Sequence, residues 1–200
     1  MTSALEEPED AALVLDTSAV INILGWGRSE LLLRSLGRRC IVEERVLAEL
    51  TYHSIPLKDA QAKIEHLKHE GLITIERMSD EDYGVFLDIA AASGRPGLGI
   101  GESAAIALAS NPKIRRALVL DDRKARKRAA AQSPTIEVIS SVKLFLKAGR
   151  TGGLGLGETR NLFVAAIDNA GMCVLKEERD LVSCLGLDAQ RVRANARLSL

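Results

Sequence analysis

An apolar run closed by an acid constrains this chain more than any other stretch: Ala12-Leu13-Val14-Leu15 leads into Asp16-Thr17-Ser18. Four consecutive apolar residues suit a strand buried on both faces, as inside a parallel sheet. In an open α/β sheet, ligands bind beyond the carboxyl ends of the strands, and Asp16 falls at such an end. The hydroxyls of Thr17 and Ser18 suit the start of a following helix. Asp16 itself has two readings, helix N-cap and functional carboxylate, and this stretch leaves both open.

The pattern recurs along the chain. Helices are expected from after Asp16 to Leu24, over 30–36 with Ser29 as N-cap and Gly37 as stop, and over 43–52, 57–69, 80–92, 102–110, 123–131 and 141–148. Residues 40–42, 72–75, 117–120 and 136–139 read as further strands. Val85, Phe86, Ile89 and Ala90 are the expected buried side of helix 80–92. A Gly/Pro-rich loop, 94–101, precedes the alanine-rich helix. Alternating strands and helices predict an α/β fold whose parallel sheet is covered on both faces. Beyond Gly149, the glycines of 152–157 suggest a hinge. Residues 159–170 and 174–187 then read as two more helices. Three regions are expected: an acidic tail over 1–10, an α/β domain over 11–150 and a helical C-terminal extension over 151–200.

Charge and composition narrow the function classes. Lys plus Arg and Asp plus Glu are equal at 27 each, so a polyanion partner must be argued from local clusters. Glu6, Glu7, Glu9 and Asp10 are the wrong sign for a targeting peptide. No apolar run reaches the length of a membrane span. Cys40, Cys173 and Cys184 lack metal-ligand spacing and are odd in number, which fits reduced thiols in a cytoplasm. His53, His66 and His69 are expected at the surface.

Acids at strand ends and helix starts carry the chemistry: Asp16, Glu49, Glu102 and the pair Asp121/Asp122. Each has a plain explanation, since Glu49 can be a solvated helix residue, Glu102 a first-turn acid and Asp121 a strand-end cap. Their joint arrangement is harder to dismiss. Carboxylates that converge in one cleft repel, and persist with bound cations or raised pKa values. Hard oxygen ligands of this kind suit Mg²⁺ or Mn²⁺.

Asp16-Thr17-Ser18, Val46-Leu47-Ala48-Glu49-Leu50, Gly101-Glu102-Ser103-Ala104-Ala105 and Leu120-Asp121-Asp122-Arg123-Lys124-Ala125-Arg126 occur in an order that resembles PIN-domain proteins, nearest to the prokaryotic branch. The resemblance covers roughly residues 11–150. It implies a three-layer α/β/α sandwich with a mainly parallel central sheet and a Mg²⁺- or Mn²⁺-dependent endoribonuclease site acting on RNA. It also implies frequent homodimers and, in many members, a toxin restrained by an antitoxin protein. By position, Asp16, Glu49 and Glu102 match the first three acids, Asp121 or Asp122 the fourth, and Thr17 or Ser18 the supporting hydroxyl. Glu102 stands where many relatives have Asp, a departure that bears on ligand geometry.

Arg123, Arg126 and Lys127 share one face of the helix that starts beside the paired acids. They are the candidate phosphate contacts; a solvated face with Arg123 paired to Asp121 or Asp122 is the other reading. Low aromatic content, 3%, argues against extensive base stacking. A second function class is an inactive nuclease-fold module that only binds nucleic acid or a protein. A haloacid-dehalogenase-type enzyme is disfavoured because Ser18 stands where its second Asp belongs, and a receiver domain because the paired acids follow a late strand. A dinucleotide-binding domain is disfavoured because the glycine turn near Gly99 does not follow the first strand. A near-repeat separates ligand from echo: Gly97-Leu98-Gly99-Ile100-Gly101-Glu102-Ser103 returns as Gly153-Leu154-Gly155-Leu156-Gly157-Glu158-Thr159, and Glu102 is the expected ligand.

Overall fold

Strand β1 (Ala12–Leu15) is buried at every residue, and its side chains divide between two cores. Leu13 and Leu15 face one hydrophobic cluster, Ala12 and Val14 the other, as the two-residue period of a strand requires. The structure, a computed structural model, describes residues 11–52, 59–92, 97–183 and 185–187. Around β1 lie β2 (Cys40–Glu43), β3 (Ile73–Glu76), β4 (Arg116–Val119) and β5 (Glu137–Ile139), in the order β3-β2-β1-β4-β5, all parallel. Helices cover both faces, so the molecule is the expected three-layer α/β/α sandwich.

The first face is covered by α1 (Thr17–Gly25), α2 (Ser29–Leu36), α3 (Glu44–Tyr52), α4 (Ala60–His69), α8 (Ser141–Thr151) and α9 (Leu156–Ala170). On the second lie α5 (Asp80–Ala92), α6 (Ile100–Ala109) and α7 (Arg123–Gln132). Phe163 of α9 meets Phe145 of α8 edge-on at 5.6 Å, and Phe145 stacks on Trp26 at 4.9 Å. A side chain at Gly25 would overlap Ala170, so α1 and α9 approach closely. Leu162, Phe163, Ala166 and Ile167 share a core with Leu13 and Leu15, so residues past 150 complete this helical layer.

Several local expectations need correction. Ser29 is the first residue of α2 and not its cap, because its hydroxyl donates to Ile23 O at 2.9 Å. Glu43 ends β2 and does not open α3. Ala90 is exposed, and Val85 and Phe86 are only half-buried, because α5 packs on α6 and buries a narrow stripe. The segment 152–157 turns tightly, with Leu154 N–H on Gly149 O at 3.0 Å, and α9 begins at Leu156. After Gly171, residues Met172 and Val174 are buried while Cys173 is exposed, an extended alternation where a helix was expected. Only a 3-10 turn (Lys176–Glu178) and the short α10 (Arg179–Ser183) follow. The expected acidic tail, His53, the start of helix 57–69, part of the loop 94–101, Cys184 and residues 188–200 lie outside the described residues. His66 and His69 are exposed, and among the described residues no helix is long and apolar enough to cross a membrane.

Candidate active site

Asp16 leaves the end of β1 fully buried, and its two oxygens are in different situations. Oδ1 accepts the Ala19 N–H at 2.7 Å, an N-cap that satisfies one orphan donor of α1. Oδ2 is buried and meets no hydrogen-bond donor among the described residues. A buried polar atom without a partner is costly, so natural chains keep few of them. Burial pushes the Asp16 carboxyl well above its ordinary value, and the charge of Asp121 adds to that; Glu102 and Glu49 add less, while the Ala19 N–H opposes.

Asp121 comes from the neighbouring strand. β1 and β4 pair in parallel with Leu15 opposite Val119, so the residues following both strands emerge side by side. Its Oδ1 accepts the Ser141 N–H at 2.8 Å, and its Oδ2 accepts the Ser141 hydroxyl at 2.6 Å and the Asn22 amide at 2.8 Å. Burial raises the Asp121 carboxyl, and the Ser141 hydrogen bonds and Arg126 pull it back. Ser141 opens α8 beyond β5, and Asn22 is a buried amide within the otherwise apolar stretch 19–24 of α1.

Glu49 is set by α1 and α6 together. The Thr17 hydroxyl donates to its Oε2 at 2.5 Å and the Gly101 N–H to the same oxygen at 3.1 Å. Of the two candidate hydroxyls, Thr17 therefore carries this support, while Ser18 is half-buried on the first turn of α1. A Cβ at position 101 would overlap both the Thr17 hydroxyl and the Glu49 carboxylate, so glycine is what lets α6 come this close. Glu102 folds back onto the Gly99 N–H at 2.8 Å. Burial raises its carboxyl, the Gly99 contact opposes, and Asp122 and Glu49 raise it further. Its echo Glu158 instead pairs with Arg28.

The adjacent acids have different tasks. Asp122 is exposed and caps α7, accepting Lys124 N–H at 2.7 Å and Ala125 N–H at 2.8 Å. Of the three proposed phosphate contacts, Arg123 and Lys127 are exposed. Arg126 turns inward, donating to Leu120 O at 2.8 Å and to the buried Glu178 at 3.1 Å. Burial raises the Cys173 thiol and so does the Asp121 carboxylate. Glu43, buried at the end of β2, keeps its carboxylate on Arg45 at 2.9 Å.

A parallel sandwich with carboxylates at the ends of its central strands fits a nuclease-type fold. The PIN-domain family model matches residues 12–182, and the chain belongs to the PIN-domain family. PIN domains are generally nucleases that use divalent metal ions. No curated protein matches the chain.

The donors present fit such an ion. Asp16, Asp121, Glu49 and Glu102 offer only oxygen, the charges of Asp121, Glu102 and Glu49 all raise the Asp16 carboxyl, and Asp16 Oδ2 lacks a donor. Among the described residues no three His, Cys, Asp or Glu side chains are placed so that together they could hold a metal ion, so the fit is one of donor chemistry. Sequence reasoning missed Asn22, Ser141 and Glu178. The first two left a signal, a lone amide in an apolar stretch of helix and a serine beyond a strand end, whereas Glu178 left none.

Proposed function

We propose that this protein is a metal-dependent endoribonuclease that hydrolyses RNA phosphodiester bonds. The observation that carries the reading is Asp16, a buried carboxylate with one unpartnered oxygen in the field of Asp121, Glu102 and Glu49. In this reading Asp16, Glu49, Glu102 and Asp121 hold Mg²⁺ or Mn²⁺, and Asp122 remains the cap of α7. When bound there, such an ion would make a bound water more acidic and offset charge developing on the scissile phosphate. Thr17 and the Gly101 N–H orient Glu49, and Ser141 with Asn22 orients Asp121. One of these carboxylates, at an oxygen not holding the ion, would accept the proton of an attacking water.

The experiment is cleavage of a labelled RNA with Mg²⁺, with Mn²⁺ and with chelator. Cleavage that needs metal and disappears in Asp16→Asn supports the reading; cleavage that survives either treatment contradicts it. The family likeness adds a homodimer and a restraining antitoxin to the proposal, tested by sedimentation and by co-expression with the adjacent reading frame. A second reading, an inactive PIN-fold module binding nucleic acid or a protein, has one observation in its favour. Glu49, Glu102 and Asp121 already accept hydrogen bonds from their own chain. Metal binding without cleavage of any RNA would select it.

A further inference from the structure

A second feature lies along the helix that Ser141 opens. A groove of about 590 Å³ runs between β5 and α8, and its lining includes Arg38, Lys143, Lys147 and Arg150 against one acid, Glu137. Lys143, Lys147 and Arg150 follow at spacings of four and three, which puts them on one face of α8. They extend over about 10 Å of helix axis at 1.5 Å per residue. A nucleic-acid strand presents roughly two to three phosphates over that length. Arg38 gives its Nε to Ala11 O at 2.6 Å, and its Nη2 is buried without a partner among the described residues. Unlike the neutral chain as a whole, the described lining of this groove carries four basic side chains and one acidic one.

Position decides what the field serves. α8 opens at Ser141, the residue that grips Asp121, so the cation row starts next to the acids and leads away from them. β5 is the edge strand, but its three residues offer too short a ladder for a peptide strand to add with much affinity. Among the described residues no aromatic side chain lines the groove, which argues against base stacking there. We propose that the β5–α8 groove binds the phosphate backbone of an RNA strand outside the cleavage site, without reading its sequence. The proposal rests on the ribonuclease reading for the identity of the polyanion, and the groove extends that site into a track.

The test measures binding of an oligouridylate by fluorescence anisotropy across a salt series, in Asp16→Asn so that cleavage does not intrude. Lys143→Gln, Lys147→Gln and Arg150→Gln are combined and compared with the parent. At about 0.7 per phosphate on a single strand, the slope of log affinity against log salt should flatten by about 2, and affinity at low salt should fall on the order of a hundredfold. The melting temperature checks that the combined variant folds. Should it not, Arg150→Gln alone should flatten the slope by about 0.7. Unchanged affinity and slope overturn the proposal. So does a variant that loses binding to polyglutamate while keeping the oligouridylate, which would make the groove a protein-docking surface. Absence of cleavage in the wild-type chain, with the slope change present, sinks the ribonuclease reading and leaves the groove standing.

Discussion

Substituting alanine at Gly101 and at Gly157 should move stability in opposite directions, although the two glycines occupy the same place in a repeated sequence. Gly101-Glu102 and Gly157-Glu158 both sit in the first turn of a helix whose N-cap is a glycine, Gly99 or Gly155. At 101 a Cβ would overlap the Thr17 hydroxyl and Glu49 Oε2; at 157 it meets nothing within 4 Å. Overpacking a tight site costs about 1–3 kcal/mol. Displacing the Thr17–Glu49 hydrogen bond adds about 1 kcal/mol. The preference of a helix for Ala over Gly returns about 1 kcal/mol. Gly101→Ala should therefore destabilise by about 2 kcal/mol, roughly 4–8 °C of melting temperature in a chain of this size. Gly157→Ala, with the helix term alone, should raise it by roughly 2–4 °C. Calorimetry of the two variants beside wild type gives the signs directly. Because the displaced atoms belong to the site, Gly101→Ala should also lose metal-dependent cleavage. A Gly101→Ala protein as stable and active as wild type would refute the close packing of α6, α1 and α3 around Glu49.

Metal should stabilise the folded chain: at a hundred times its dissociation constant, Mg²⁺ or Mn²⁺ contributes about 2.7 kcal/mol, roughly 5–10 °C, and Asp16→Asn should remove that response in a thermal-shift series. A wild-type melting temperature indifferent to both metals would contradict the assigned ligands. In the metal-free protein, Asp16, Asp121 and Glu102 have carboxyls raised by burial, so the native state binds more protons than the unfolded chain. Their contribution is complete below the ordinary carboxylate range and is lost as pH rises through the raised native values. Denaturant titrations should show stability falling over that interval, with a shallower fall in Asp16→Asn; an equal slope would place the titration elsewhere. Glu102→Gln should abolish cleavage while Glu158→Gln, which only breaks an exposed pair with Arg28, leaves it nearly unchanged; the reverse would relocate the site to α9.

What could be read from the chain followed from local pattern. Uniformly apolar strands ending in Asp16 and Asp121 announced a parallel sheet with function at its carboxyl end, because burial on both faces leaves no alternation to disguise. The acids were visible for the same reason, each standing next to a strand end or a glycine turn. The partners that orient them were not. Ser141 reaches Asp121 across 20 positions and Asn22 across 99, distances at which only the folded topology brings residues together. Arg126 looked solvent-facing by helical spacing, yet the 3-10 turn bearing Glu178 packs over that face and gives its guanidinium a buried partner. The segment after Gly171 was misread because its short apolar run fits both periods, and burial of Met172 and Val174 chose the extended one.

The most direct test of the central claim is a single-turnover cleavage assay on one RNA, run with wild type, Asp16→Asn and Asp121→Asn over a Mn²⁺ titration. Melting curves recorded on the same samples certify that each variant is folded. The account predicts metal-saturable cleavage by wild type and none by either folded variant. Cleavage by folded Asp16→Asn at the wild-type rate and metal requirement would contradict it.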